Sequence, residues 1–133
     1  MRMCANVPCQ SAIQTALGGY QSIDDLVKEN GRLRIQRDVT TDMLNGIDGI
    51  SCVKPKGAMY CFAKVDEKKF NIQNDEQMVL DLLSSEKILL VHGRAFNLTE
   101  GTYFRLVFLP HSDVLVPALH RIGNFFRTYK QGA

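Results

Sequence analysis

The segment from Ile88 to Pro110 constrains the fold of this chain more than any other. Its two apolar runs, at 88–91 and 103–109, are joined by a polar, glycine-bounded connection, which predicts two buried strands and their loop. Successive side chains of a strand point to opposite faces of a sheet. Arg105 therefore shares a face with apolar or aromatic neighbours, namely Tyr103, Val107 and Leu109, while the opposite face carries Phe104, Leu106 and Phe108.

The position of Arg105 requires an anionic partner. A buried arginine without one costs several kcal/mol, so either the chain or a ligand is expected to present a carboxylate or phosphate there. Glu100, Asp113 or another acidic residue of the chain could be an internal partner. From the residues alone, an internal ion pair is the favoured interpretation and a ligand site is the alternative.

Composition bounds the class of protein. The chain has 133 residues, 45% hydrophobic and 23% charged, which suits one globular domain with a substantial core. Sixteen basic and fourteen acidic residues are interspersed and give a net charge of +2, so no nucleic-acid-binding patch is predicted. No apolar leader is present, and no apolar run approaches the roughly 18 residues of a membrane span. We expect a cytosolic protein with no membrane partner.

Few residue types indicate chemistry. The four cysteines contain no CxxC pair and the histidines are scattered at 92, 111 and 120, so no metal site is predicted and the thiols are interpreted as structural. His92 is interpreted as a loop histidine and Tyr60 as a hydrogen-bonded tyrosine at the edge of the core. No phosphate-binding glycine motif and no nucleophile with its base are present, so no catalytic residue is predicted. The cysteines are Cys4, Cys9, Cys52 and Cys61.

Local signals predict an α/β fold. Helices are predicted at 8–17, 23–29, 33–45 and 74–86 and from near Ser112 to Tyr129, and a hairpin joins strands at 50–53 and 58–65. A charged connector, DEKKFNIQ, separates the hairpin from the fourth helix. With the strands at 88–91 and 103–109, this predicts a mixed, largely antiparallel sheet of about four strands covered by helices, in two or three layers.

Three polar residues have predicted local roles. Asn74 is predicted to cap the fourth helix, with Gln77 three residues later in a capping-box-like arrangement. Gln36 is assigned to the polar, solvent-facing side of the third helix.

Four segments resemble the C-terminal part of the class I, pyridoxal-phosphate-dependent aminotransferases, and most resemble the alanine aminotransferase branch. They are RMCANVPCQSAIQTAL, GGYQSIDDLVKENGRLRIQRD, GISCVKPKGAMYCFAKVD, and KILLVHGRAFN followed by FRLVFLP. The resemblance covers nearly the whole chain in the right order. It implies that residues 1–133 are a single domain from a larger enzyme, with residues 1–20 as a connector helix and 21–133 as the small domain that closes over the active site.

The resemblance also implies roles for individual residues. By its place in YFRLVFL, Arg105 is the arginine that binds the substrate α-carboxylate, and Asn6 lies near the active site or the dimer interface. The parent enzyme is expected to be a homodimer that transfers an amino group between alanine and 2-oxoglutarate, using amino acid and 2-oxo acid substrates. Many relatives have the dipeptide Pro-Gly shortly before the phenylalanine of this loop. In this chain His92 and Gly93 stand at that place, before Phe96.

The resemblance places the cofactor outside this chain. In the family the Schiff-base lysine lies in an S-K-x-x-x-x-x-G-x-R kind of motif upstream of the segment resembling RMCANVP. No lysine of this chain has that context, so pyridoxal phosphate is expected in the full-length enzyme and neither cofactor binding nor turnover is expected of the fragment. The lysines are Lys28, Lys54, Lys56, Lys64, Lys68, Lys69, Lys87 and Lys130.

A hypothesis from another class accounts for the same residues. A stand-alone ligand-binding or regulatory α/β module needs no catalytic lysine, and in it Arg105 closes a structural ion pair. The surroundings of the guanidinium distinguish the two hypotheses, because an internal carboxylate favours the module and an open position favours substrate binding.

Overall fold

The computed structural model describes residues 4–132, in which three helices precede the first two strands and two helices separate these from the last two strands. The first half comprises α1 (Val7–Gly18), α2 (Ser22–Val27), α3 (Arg32–Asn45), β1 (Ile50–Cys52) and β2 (Tyr60–Val65). The second half comprises α4 (Glu67–Phe70), α5 (Asp75–Glu86), β3 (Val91–His92), a 3-10 turn (Gly93–Phe96), β4 (Thr102–Val107) and α6 (Ser112–Thr128).

The four strands form one antiparallel sheet in the order β1-β2-β4-β3. The hairpin predicted from the first two strands is confirmed, with Ile50 opposite Val65. Strands β2 and β4 pair along their whole length, from Tyr60 opposite Val107 to Val65 opposite Thr102. The predicted α/β class and strand number are confirmed, and every pairing is antiparallel, so the sheet is not mixed.

The core lies on one face of this sheet, as the period-2 pattern requires. Helices α3, α5 and α6 cover that face, and their apolar side chains pack against the buried residues of β2 and β4. The principal core residues are Leu44, Cys61, Ala63, Val65, Met78, Leu82, Phe104, Leu106, Leu119, Ile122 and Phe126. The described residues thus form two layers, and the opposite face of the sheet carries Arg105.

Two predicted elements differ in extent. Residues 88–91 were predicted to be a strand, but only Val91 and His92 pair with β4. A cavity of about 260 Å³ lies between residues 88–91, the end of β4 and α6. Residues 88–90 are thus separated from β4 at this end of the sheet. The charged connector contains the short helix α4, which begins because the Asp66 carboxylate accepts the backbone N–H groups of Lys68 and Lys69.

The predicted cap of α5 is confirmed, and the assignment of Gln36 is wrong. The Asn74 side chain accepts the backbone N–H groups of Glu76 and Gln77, whereas the Gln77 side chain bonds Asp81 and makes no return bond to the cap. Gln36 is buried because its side-chain amide donates to the carbonyl oxygens of Leu109 and Pro110, where β4 ends.

Helix α1 buries none of its residues. Its large apolar side chains, and that of Tyr20 just after the helix, are between 51% and 75% exposed. These residues are Val7, Ile13, Leu17 and Tyr20. Pro8 lies in the first turn, where its missing N–H would have no intrahelical partner. Of residues 4–132, none belongs to a helix that is long and apolar enough to cross a membrane.

Candidate functional site

Arg105 lies in the middle of β4, with β2 on one side and β3 on the other. Phe62 is its neighbour on β2 and Val91 its neighbour on β3. The core-facing residues that flank it in β4, Phe104 and Leu106, are buried, so the alternation predicted for this strand is confirmed. Arg105 itself is half-buried on the face of the sheet that the helices do not cover.

Two aromatic rings contact the guanidinium. Its central carbon lies 4.6 Å from the centroid of the Tyr60 ring and 4.3 Å from that of the Phe96 ring. The Phe96 ring also packs edge-on against Phe62, at a centroid distance of 5.4 Å and an interplanar angle of 83°. A cation over a ring face is attracted by the negative charge of that face. The two rings, Tyr60 and Phe96, are called the aromatic pair below.

The internal ion pair expected for Arg105 is not present among residues 4–132. No carboxylate of these residues lies within 4.0 Å of the guanidinium nitrogens, and the buried Nε has no hydrogen-bond partner. Oδ2 of Asp113, a residue named as a candidate partner, instead lies 3.0 Å from Nδ1 of His111 at the start of α6. Arg105 is therefore a half-buried cation that ring faces stabilise and that no carboxylate of residues 4–132 neutralises.

This arrangement suits recognition of a planar anion. Ring contacts engage the faces of a guanidinium, whereas its N–H donors point outward in its plane. A carboxylate accepts two parallel hydrogen bonds from such an edge, which fixes the orientation of the bound molecule. The site can therefore bind and orient a carboxylate.

The other predicted site residue, Asn6, lies on a different element. Its side chain accepts the backbone N–H of Cys9 at 2.9 Å and so caps α1. Phe96 was missed by sequence reasoning, because only the 3-10 turn brings it back over β4. Tyr60 was interpreted as a tyrosine at the edge of the core; its ring in fact contacts Arg105 on the open face.

The surroundings of the lysines bear on where the cofactor is expected. All eight are exposed, and several bind acidic neighbours, as in the ion pairs of Lys28 with Asp25 and Lys54 with Asp38. A nucleophilic lysine needs a lowered pKa, which desolvation or a nearby cation supplies. That the cofactor is held by residues outside this chain stays a prediction. Within residues 4–132, no three histidine, cysteine or acidic side chains are grouped in a way that could hold a metal ion.

Known proteins are similar to this chain in sequence and fold. Residues 1–122 match the model of the family described as aminotransferase class I and II. Glutamate-pyruvate aminotransferase AlaA of Haemophilus influenzae is 55% identical over 131 residues, which are 98% of this chain and 32% of that protein. Alanine aminotransferase of Mycobacterium tuberculosis is 54% identical over 131 residues, which are 98% of this chain and 30% of that protein.

Solved structures of aminotransferases are also similar to this chain in fold. An aminotransferase from Escherichia coli superimposes with a TM-score of 0.87 at 52% identity, covering 96% of this chain and 32% of that one. Alanine aminotransferase from Pyrococcus furiosus superimposes with a TM-score of 0.77 at 35% identity, covering 94% and 31%. The chain thus spans about a third of the length of the relatives it matches.

Proposed function

Because this chain belongs to the aminotransferase class I and II family, we propose that it is the carboxylate-binding part of a pyridoxal-phosphate-dependent aminotransferase. The observation that carries the proposal is the guanidinium of Arg105, which contacts two ring faces and has no carboxylate partner among residues 4–132. An arginine so placed is available to a carboxylate that comes from outside the described residues.

In this proposal Arg105 binds the α-carboxylate of the amino acid substrate through two charge-assisted hydrogen bonds. The aromatic pair limits rotation of the guanidinium, so the bound carboxylate is held in one orientation. Orientation matters because the Cα–H bond has to be aligned with the cofactor before the proton is removed. The contribution of Arg105 is thus binding and orientation, with no proton transfer of its own.

The cofactor belongs, in this proposal, to the part of the enzyme outside this chain. Pyridoxal phosphate supplies the electron sink for amino transfer. We assign residues 1–20 to a connector and residues 21–133 to the small domain, and the absence of buried residues in α1 supports a connector that packs against other parts of the enzyme.

The proposed substrates are alanine and 2-oxoglutarate, and the proposed enzyme is a cytoplasmic homodimer. Relatives named alanine aminotransferase and glutamate-pyruvate aminotransferase, at 54% and 55% identity, support this choice of substrates. The 36% identity to a probable aspartate/prephenate aminotransferase of Rhizobium leguminosarum is clearly lower.

The test is replacement of Arg105 in the full-length protein that contains this segment. R105A removes two hydrogen bonds to a charged group, so kcat/KM for L-alanine is expected to fall about 100-fold or more, mainly through a higher KM. R105K keeps the charge but loses the planar fork, and about a tenfold loss is expected. The absorbance of the bound cofactor should stay unchanged in both variants.

A matched control separates this effect from the loss of any surface arginine. Arg121 on α6 contacts the carboxylate of Glu86 at 3.3 Å and lies outside the site. R121A should leave kcat/KM within about twofold, since an exposed ion pair contributes little. Unchanged kinetics in R105A would overturn the proposed function.

A further inference from the structure

A buried carboxylate lies behind the 3-10 turn that carries Phe96. Asp75, the first residue of α5, is only 3% exposed. Its Oδ2 accepts the backbone N–H of Arg94 at 2.9 Å, and Nδ1 of His92 lies 3.6 Å from the same oxygen. The carboxylate thus joins the N-terminus of α5 to the beginning of the turn.

The backbone contact is the principal one. Nε of Arg94 lies 3.7 Å from Oδ1 of Asp75, beyond hydrogen-bond distance, and the Arg94 side chain is 59% exposed, so solvent screens that attraction. Oδ1 itself has no hydrogen-bond partner among the described residues. Burying a carboxylate costs free energy. Stabilising the N-terminus of α5 does not require burial, because an exposed acidic residue in the first turn interacts equally well with the helix dipole.

The turn passes this restraint to the site. Gly93 is buried against β4, where a Cβ would come within 3.0 Å of Cβ of Tyr103, so the turn has little room to shift toward the sheet. Asp75 holds the next residue, Arg94, by its backbone. Two residues later the turn ends at Phe96, whose ring lies over Arg105.

We infer that Asp75 is a positioning residue, which fixes the 3-10 turn through the backbone N–H of Arg94 and thereby holds Phe96 against the guanidinium of Arg105. It acts on carboxylate binding through Phe96 and touches neither substrate nor cofactor. The inference rests on the proposed function, because its effect is measured as carboxylate binding by Arg105. It assigns a role to a residue outside the site that the sequence motifs define.

The experiment uses the full-length protein with L-alanine as the probe. D75A removes the acceptor of the Arg94 N–H, and KM for L-alanine is expected to rise about fivefold with kcat within about twofold, since substrate binding is affected and proton transfer is not. D75N keeps an oxygen that can accept this N–H and is expected to retain most of the affinity. A rise of about fivefold in KM for D75N would overturn the inference, so D75N keeps it testable if D75A fails to fold.

A double-mutant cycle identifies the route of the effect. F96A alone should raise KM, and adding D75A to F96A should raise it no further, because the ring that Asp75 positions is already absent. D81A is the matched control on the same helix: it breaks the 2.6 Å hydrogen bond from Tyr129 and should lower thermal stability without changing KM. If Asp75 had only a structural role, D75A would lower thermal stability and leave KM unchanged, as is expected of D81A.

The outcomes separate the two proposals. If R105A leaves KM unchanged, the proposed function fails. If R105A raises KM while D75A and D75N match the parent protein, only the role of Asp75 is overturned. Additive effects of D75A and F96A would likewise overturn it, because Asp75 would then not act through Phe96.

Discussion

At the scale of single residues, ring faces take the place of a counter-ion. A half-buried guanidinium has to recover part of the hydration that it loses, and a cation over an aromatic face recovers about 0.5–2 kcal/mol depending on exposure. Arg105 has two such contacts, with Tyr60 and Phe96. The charge therefore stays available to a ligand, which an internal carboxylate would have prevented.

Another residue with an altered environment is Tyr129, and it predicts a pH dependence. Partial burial and the hydrogen bond to Asp81 raise the pKa of Tyr129 above its ordinary value of 10.0. Above about pH 10 the unfolded chain therefore releases this proton before the folded chain does, and stability falls with rising pH. Y129F cannot ionise and should lose less stability there.

Urea unfolding of the chain at several pH values measures this effect. At pH 8 the parent chain should be more stable than Y129F by about 1 kcal/mol, the usual net worth of a hydrogen bond. The difference should shrink as the pH is raised beyond 10. A difference that stays constant from pH 8 to pH 11 would contradict the prediction.

The sequence predicted the strand that carries Arg105 and the face on which it lies, but not the residues that contact it. The alternation around Arg105 specified the face on which it lies, because period 2 is a local property of the backbone. Its neighbours depend on register and on the path of a turn, and neither is encoded by spacing. Phe96 reaches Arg105 only through the 3-10 turn, and Asp75 reaches that turn from 19 residues away in sequence.

At the scale of elements, Gln131 joins the C-terminal segment to the loop between α4 and α5. Its side-chain oxygen accepts the backbone N–H groups of Gln73 at 2.5 Å and Asn74 at 2.9 Å, and its amide donates to the carbonyl of Asn74 at 2.7 Å. Its backbone N–H also bonds the carbonyl of Phe70. The residue is buried, so these bonds are protected from water.

Removal of this side chain should weaken the whole fold. Q131A leaves the backbone N–H groups of Gln73 and Asn74 without an acceptor, and a loss of about 1–3 kcal/mol is expected in the free energy of unfolding. The neighbouring Lys130 is exposed, and K130A should cost less than about 0.5 kcal/mol. Equal midpoints for Q131A and K130A in urea would contradict the structural role of Gln131.

Elements with a local signal were the ones that the sequence predicted correctly. The cap at Asn74 defined the start of α5. Helix α4 has only four residues, too few for a periodic pattern. The buried Gln36 was assigned to solvent because a polar residue on a helix usually faces water, and its partners, the carbonyls of Leu109 and Pro110, lie more than 70 positions away.

At the scale of the whole molecule, two surfaces stand open. Helix α1 is exposed throughout, and the face of the sheet around Arg105 exposes aromatic and aliphatic side chains. The members of the second surface, called the open sheet face here, are Tyr60, Phe62, Phe96 and Val107, each 37–38% exposed. Contiguous apolar surfaces of this kind mark interaction sites or lead to association.

The 133-residue chain studied alone is therefore expected to self-associate. Sedimentation velocity from about 5 to about 200 µM should show an apparent mass that rises with concentration, because association buries apolar area that water otherwise surrounds. F62E places a charge on the open sheet face, and L17E places one on α1, so each should shift the chain toward the monomer. L80E is the matched control, since Leu80 is 46% exposed on α5, outside both surfaces. A parent chain that stays monomeric over this range, or an L80E variant that dissociates as fully as F62E, would contradict the assignment of association to these two surfaces.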